Sequence, residues 1–210
     1  MIIRKYSFLL CFSLLLPTAC TLGPERRDAP SVFDLGPRQG YKANPHAIAA
    51  TLLIPPVAAS AWLDSTGIQY RLAYQDASRP DAYAHHRWSM TPALLLTERV
   101  RARFAAAARG VVTAQDGAKA DYALRIELED FSQSFDSAQS SQAQVRLRAS
   151  LIDLPTRALH AQHSFSVQRP AAPNAPGAAQ SLAAASDAVI GELLAWAAQR
   201  LKKQESSGTP

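Results

Sequence analysis

Two histidine pairs, His85-His86 and His160 with His163, are the residues whose types most readily suggest chemistry. A metal site needs both imidazoles on one side. Residues one or three apart on a strand point to opposite faces, and only helical spacing would bring such a pair together. Neither pair therefore reads as a metal site. His163 shares its parity with the apolar Ala161, Phe165 and Val167, so it is expected as a hydrogen-bonded core histidine. The acids Glu127, Glu129 and Asp130 are near enough in sequence to raise acid–base catalysis, but they line the polar side of a strand and are expected to be solvated. Both cysteines, Cys11 and Cys20, fall in the first twenty residues, so the body holds no thiol nucleophile and cannot form an internal disulfide. Neither a Gly-x-Ser-x-Gly elbow nor a Gly-x-x-x-x-Gly-Lys phosphate loop occurs. The residues nominate no catalytic pair, no metal and no cofactor, and the chain reads as a non-enzyme.

Composition sets the frame for what remains. The chain has 210 residues, 48% apolar and 19% charged, enough for one domain with a core of its own. The net charge of +5 is not gathered into any Lys/Arg run longer than two, and no basic stretch is interleaved with aromatic residues. Such a charge serves solubility, and nucleic acid is not expected as a partner.

Arg4 and Lys5 precede the uncharged stretch Phe8–Leu16, which gives way to Pro17-Thr18-Ala19-Cys20. A basic head, a short apolar run and a small-residue exit make a secretory leader, too short to span a bilayer stably. Residues 1–19 are thus expected to be removed, taking two cations and lowering the net charge from +5 to +3. Cys20, directly after Ala19, resembles the lipidation site of bacterial lipoproteins, although Pro17 stands where a leucine is usual. The resemblance implies that Cys20 carries fatty acids such as palmitate, and that with Thr21 next the protein is sorted to the outer membrane of a Gram-negative cell, facing the periplasm. Two or more acyl chains anchor durably where one does not.

Residues 20–45 are rich in Pro, Gly and charge and read as a tether with one docked strand around Phe33. The domain is expected over 46–203 and a frayed, disordered tail over 204–210. Within the domain, Ala47–Val57 suits a strand covered on both faces, and Ile68–Tyr74 a half-buried one. Thr91-Pro92 opens a helix whose apolar residues Leu96, Val100, Phe104 and Ala107 recur at helical spacing. Arg99, Arg101 and Arg103 fall on its other sides, and Gly110 is expected to end it. From Tyr122 to Phe135 the apolar parity switches after Leu128, which predicts a β-bulge near Glu129-Asp130. Ala143–Leu151 and Leu159–Val167 alternate as a hairpin, Pro170–Gly177 reads as a loop, and Leu182–Trp196 as a long helix. This order predicts an α+β fold: a mostly antiparallel sheet of about five or six strands with two helices packed on one face.

Trp62, Tyr70, Tyr74, Tyr83 and Trp88 form an aromatic group, and of these Trp62, Tyr70, Tyr83 and Trp88 are the candidate contact surface. The alternative is that they pack beneath the first helix. Several segments, in order, resemble the ABC-type transport auxiliary lipoprotein component family: Trp62-Leu63-Asp64 with Ile68-Gln69-Tyr70-Arg71, Tyr83–Trp88 running into Thr91-Pro92, Ala120–Ile126, Leu151-Ile152-Asp153, and Ala188–Trp196. The resemblance implies a non-catalytic partner of MCE-type ABC transporters, docking an MCE-domain protein and its permease and ATPase complex in lipid transport between membranes. It also makes a homo-oligomer plausible. A structural envelope lipoprotein that binds peptidoglycan or an assembly partner is the other reading.

Overall fold

The computed structural model describes residues 29–37 and 47–207. The leader, Cys20 and most of the tether lie outside those residues. In chain order the elements are β1 (Ser31–Phe33), β2 (Ile48–Leu53), β3 (Ala58–Ala59), β4 (Gly67–Leu72), α1 (Ala73–Asp76), β5 (Pro80–Trp88), α2 (Pro92–Ala105), β6 (Ala108–Val112), β7 (Tyr122–Phe135), β8 (Ser141–Asp153), β9 (Leu159–Ala171) and α3 (Ala175–Ser207).

The three long strands β7, β8 and β9 form the expected antiparallel meander. Their inner faces are apolar: Leu124, Ile126 and Leu128 stand opposite Leu151, Ala149 and Leu147, and all six are buried. Burying each larger side chain contributes about 1.5–3 kcal/mol. The register slips between Leu128 and Asp130, so the bulge lies where the parity change placed it. It keeps Phe131, Gln133 and Phe135 on the inner face, opposite Val145, Ala143 and Ser141.

The other side of β7 corrects the expected architecture. β2, β3 and β4 lie one after another along it, each parallel: Leu52 beside Tyr122, Ala58 beside Glu127, and Gln69 beside Ser132. β6 adds in parallel to β2, β5 adds antiparallel to β4, and β1 adds in parallel to β5. Among the described residues the sheet therefore has nine strands and is mixed, with three α-helices, rather than five or six mostly antiparallel strands with two. Strands of two and three residues carry no readable alternation, and parallel pairing leaves no turn signal between the partners.

Local departures have local causes. β2 alternates buried and partly exposed residues instead of being covered on both faces, and Pro55-Pro56 separate it from β3. Helix α2 starts with Thr91 as N-cap and Pro92 within its first turn, as expected, but ends at Ala105. Gly110 does not cap it; it lies in β6 against Thr51, whose Cγ2 would sit 3.4 Å from an added Cβ. Pro170–Gly177 is not all loop. β9 runs to Ala171, and Asn174 caps α3 by accepting the Gly177 N–H at 2.8 Å. A Cβ at Gly177 would meet the Ala172 carbonyl oxygen at 2.5 Å, so the cap requires glycine there. At its far end α3 continues to Ser207, past the start of the expected frayed tail. Its length and hydropathy would let it cross a membrane, yet its apolar stripe, Leu182, Ala185, Val189, Leu193 and Trp196, is buried in this core. Together α2 and α3 close the core over Phe104, Val100 and the sheet.

Candidate contact surface

Beyond the N-terminal end of α3 the sheet carries a row of rings. β5 is irregular: Gly67 pairs with Arg87 and Gln69 with Ala82, so Tyr83–His86 oppose Ile68 alone. That widening brings Tyr83 and His86 together, with ring centroids 6.2 Å apart. Tyr70 of β4 lies 4.8 Å from Tyr83 and 6.0 Å from Phe135 of β7. Phe33 of β1 stacks on His86 at 6.0 Å. The rings thus run continuously across four strands, with Phe33, Tyr70, Tyr83 and His86 all partly exposed.

The row is held in place from beneath. The Tyr83 hydroxyl donates to Gln133 Oε1 at 2.7 Å, and Gln133 is fully buried. Gln133 Nε2 in turn donates to Ser141 Oγ at 2.7 Å and to the Ala172 carbonyl at 2.8 Å, so every polar atom of the buried amide is satisfied. Burial, with a smaller contribution from Tyr70, pushes the Tyr83 phenol up to about 12. Tyr83 therefore stays neutral near neutral pH and keeps its hydroxyl donating to Gln133.

The four sequence-nominated residues do not share one surface. Tyr70 and Tyr83 belong to the row. Trp62 is half-buried, with the Arg71 guanidinium 4.8 Å from its ring centroid, and Arg71 Nη1 also reaches the Ala77 and Ser78 carbonyls. Trp88 is 1% exposed and meets Phe131 edge-on at 5.5 Å. It is a core residue, because the last residue of β5 turns its side chain into the core against Phe131 of β7, and it offers no contact area. Phe33, His86 and Phe135 complete the row. Sequence alone did not group them, because no spacing relates four different strands.

The histidines differ from expectation in two ways. His163 is exposed rather than a hydrogen-bonded core residue; its ring lies against Phe165 at 4.8 Å and Trp196 at 6.3 Å. Phe165 and Val167 share its strand and parity and are buried, so inward parity alone does not give burial at position 163. His160 and His163 also fail to point to opposite faces. A register shift at Leu151/Ile152 turns His160 toward α3, with Nε2 3.4 Å from the Arg200 carbonyl. Among the described residues no group of three or more His, Cys, Asp or Glu could hold a metal. Glu127 and Glu129 are partly exposed, as expected, and form cross-strand ion pairs with Arg148 and Arg146. Asp130 departs from this: it is buried, accepts from Ser132 Oγ at 2.7 Å, and stands 3.6 Å from Arg146.

Arg99 was placed among the outward-facing residues of α2, yet it is 5% exposed. Its guanidinium grips Asp187 of α3 through two bonds of 2.8 and 3.0 Å and donates to the Leu35 and Gly36 carbonyls at 2.9 and 3.0 Å. One side chain thus joins both long helices to the segment through which the tether enters the domain. Its only sequence signal is its place beside Leu96 and Val100, at the margin of the apolar stripe.

With this geometry in view, comparison with known proteins defines the class. The family model for the ABC-type transport auxiliary lipoprotein component matches residues 33–195, and the chain belongs to that family. No curated protein sequence matches it. Among solved structures, protein XCC0632 from Xanthomonas campestris is similar, with a TM-score of 0.73 and 20% identity over 85% of this chain and 99% of that one. An uncharacterized protein has a TM-score of 0.55 and 15% identity over 79% and 99%. At these identities the likeness establishes the shared fold.

Proposed function

We propose that the protein is the membrane-anchored auxiliary subunit of an MCE-type ABC transporter. Acylated Cys20 holds it to the periplasmic face of the outer membrane, where it docks the MCE-domain protein and its permease and ATPase complex and supports lipid movement between the membranes. It performs no reaction of its own. The observation that carries this reading is the family membership across residues 33–195. The aromatic row supports it: a continuous, partly exposed set of rings, anchored by Tyr83 on the buried Gln133, is suited to a protein contact. The Arg99 clamp supports it too, since it fixes the domain to the end of its own tether.

The test is chemical crosslinking in cells followed by purification of the full chain from membranes. The expected result is recovery of an MCE-domain protein, incorporation of labelled palmitate, and loss of both membrane fractionation and labelling in Cys20→Ala. Recovery without that partner, together with sedimentation on cell-wall sacculi, would replace this reading with the structural envelope one.

A further inference from the structure

α3 is apolar on more than the stripe it turns to the sheet. Its portion Ala175–Lys202 has the length and hydropathy of a membrane span, yet only 44% of its most apolar stretch is buried. A surface helix ordinarily carries polar residues on the side away from the core. Here a second stripe, Gly191, Leu194, Ala195, Ala198 and Lys202, recurs at helical spacing and lies across from the C-terminal end of α2. Between the two helices is a half-open cavity of about 370 Å³. Six of its nine lining residues are alanine or glycine, so the helices meet without filling the space between them. Gly191 shows that this space is retained. A Cβ there would meet nothing within 4 Å, and the glycine is not one of those with positive φ. Glycine inside a helix weakens it relative to alanine, so neither packing nor backbone geometry accounts for glycine at this position.

The walls are apolar, and each helix adds one cation, Arg103 from α2 and Lys202 from α3; among the described residues no acid lines the cavity. The volume lies near the lower end of small-ligand sites, which run from about 300 to 1,000 Å³. It admits one acyl chain and not the paired chains of a phospholipid. We propose that this trough binds an anionic amphiphile with a single acyl chain. The chain lies along Gly191, Leu194, Ala195 and Ala198, where its methylenes leave water, and the carboxylate or phosphate head meets the cations. Glycine at 191 and alanine at 195 and 198 are then the residues that leave room for the chain. The trough follows the C-terminal half of α3, whereas the ring row lies beyond its N-terminal end. The inference therefore does not rest on the transporter reading, and a negative result at the trough leaves the docking proposal standing.

The probe is dodecanoate with a diazirine in its chain, added to membranes that hold the full protein; adducts formed on irradiation are mapped by peptide mass spectrometry. They are expected on residues 103–107 and 191–202. Unlabelled dodecanoate should compete for them, and dodecyltrimethylammonium, with the same chain and a cationic head, should compete about fivefold less well or worse. Gly191→Leu fills the trough and displaces several methylenes, so labelling there should fall about tenfold or more. Its melting temperature should not fall, because leucine favours a helix over glycine. Ala195→Leu, on the adjoining turn, fills the same space and provides a second reading. Lys202→Glu should lower labelling about twofold to fivefold, and Lys202→Arg should preserve it. Adducts spread evenly over the protein surface, equal competition by the cationic amphiphile, or unchanged labelling in both filled variants would overturn the proposal.

Discussion

Arg99→Met tests the reading of the clamp most sharply. The substitution keeps an unbranched apolar stem in α2 but removes the two bonds to Asp187 and the two to the Leu35 and Gly36 carbonyls. Breaking a buried ion pair by deleting one partner costs about 3–5 kcal/mol. The Asp187 side chain retains 22% of its exposure, so water relieves part of the stranded charge and the lower end applies, about 3 kcal/mol. For a chain of this size that corresponds to a Tm lower by about 6–12 °C, measured by circular dichroism. Pairing Arg99→Met with Asp187→Leu removes the stranded charge and should recover about 1 kcal/mol or more relative to the sum of the single changes. Limited proteolysis supplies a second readout, because cleavage within residues 29–37 should accelerate in Arg99→Met while cleavage of the sheet does not. Single variants that each cost less than about 1 kcal/mol, or a strictly additive double variant, would refute the clamp.

Other expectations follow from the same geometry. Tyr83→Phe strands the buried Gln133 Oε1 and should lower stability by about 1–3 kcal/mol in urea unfolding, with an unchanged m-value. Since the Tyr83 phenol is raised to about 12, its contribution is complete below the ordinary tyrosine value near 10 and is lost as pH rises through about 12; ultraviolet titration should show one tyrosine ionising late, together with unfolding. Asp153 is held below its ordinary value by the Thr156 hydroxyl and then the Thr156 N–H, so its contribution is present above about pH 4 and fades as pH falls through its lowered value. Asp153→Asn should flatten that part of the stability–pH curve. Phe131→Ala, which empties the space between Trp88 and the sheet, should cost about 3–5 kcal/mol in the same urea assay.

Where long strands alternate strictly, the sequence was legible. The β8–β9 hairpin follows from alternation alone, and the bulge in β7 from a parity change that would otherwise turn Phe131 and Phe135 outward. α2 announced its start through Thr91-Pro92. The parallel additions along β7 were not legible, because β3 has two residues and β1 three, too few for a period, and because nothing local says which distant strand accepts them. The aromatic row was half visible: Tyr70 and Tyr83 could be named, but Phe33, His86 and Phe135 join them only through the irregular pairing of β5. Trp88 shows the converse, an aromatic residue nominated for contact that the last position of its strand commits to the core. Arg99 was hidden because arginine is a surface residue by default, and only the distant Asp187 and the Leu35 carbonyl make its burial tolerable.

If the MCE-domain protein docks on the ringed end of the sheet, as proposed, the contact can be trapped at Tyr70. A photoreactive amino acid placed at Tyr70 in the full chain, and separately at the exposed Asp116 as a control, reads that contact in living cells. The account predicts that irradiation joins position 70, and not position 116, to an MCE-domain protein. Equal labelling at both positions, or adducts at position 70 that contain no such protein, would contradict it.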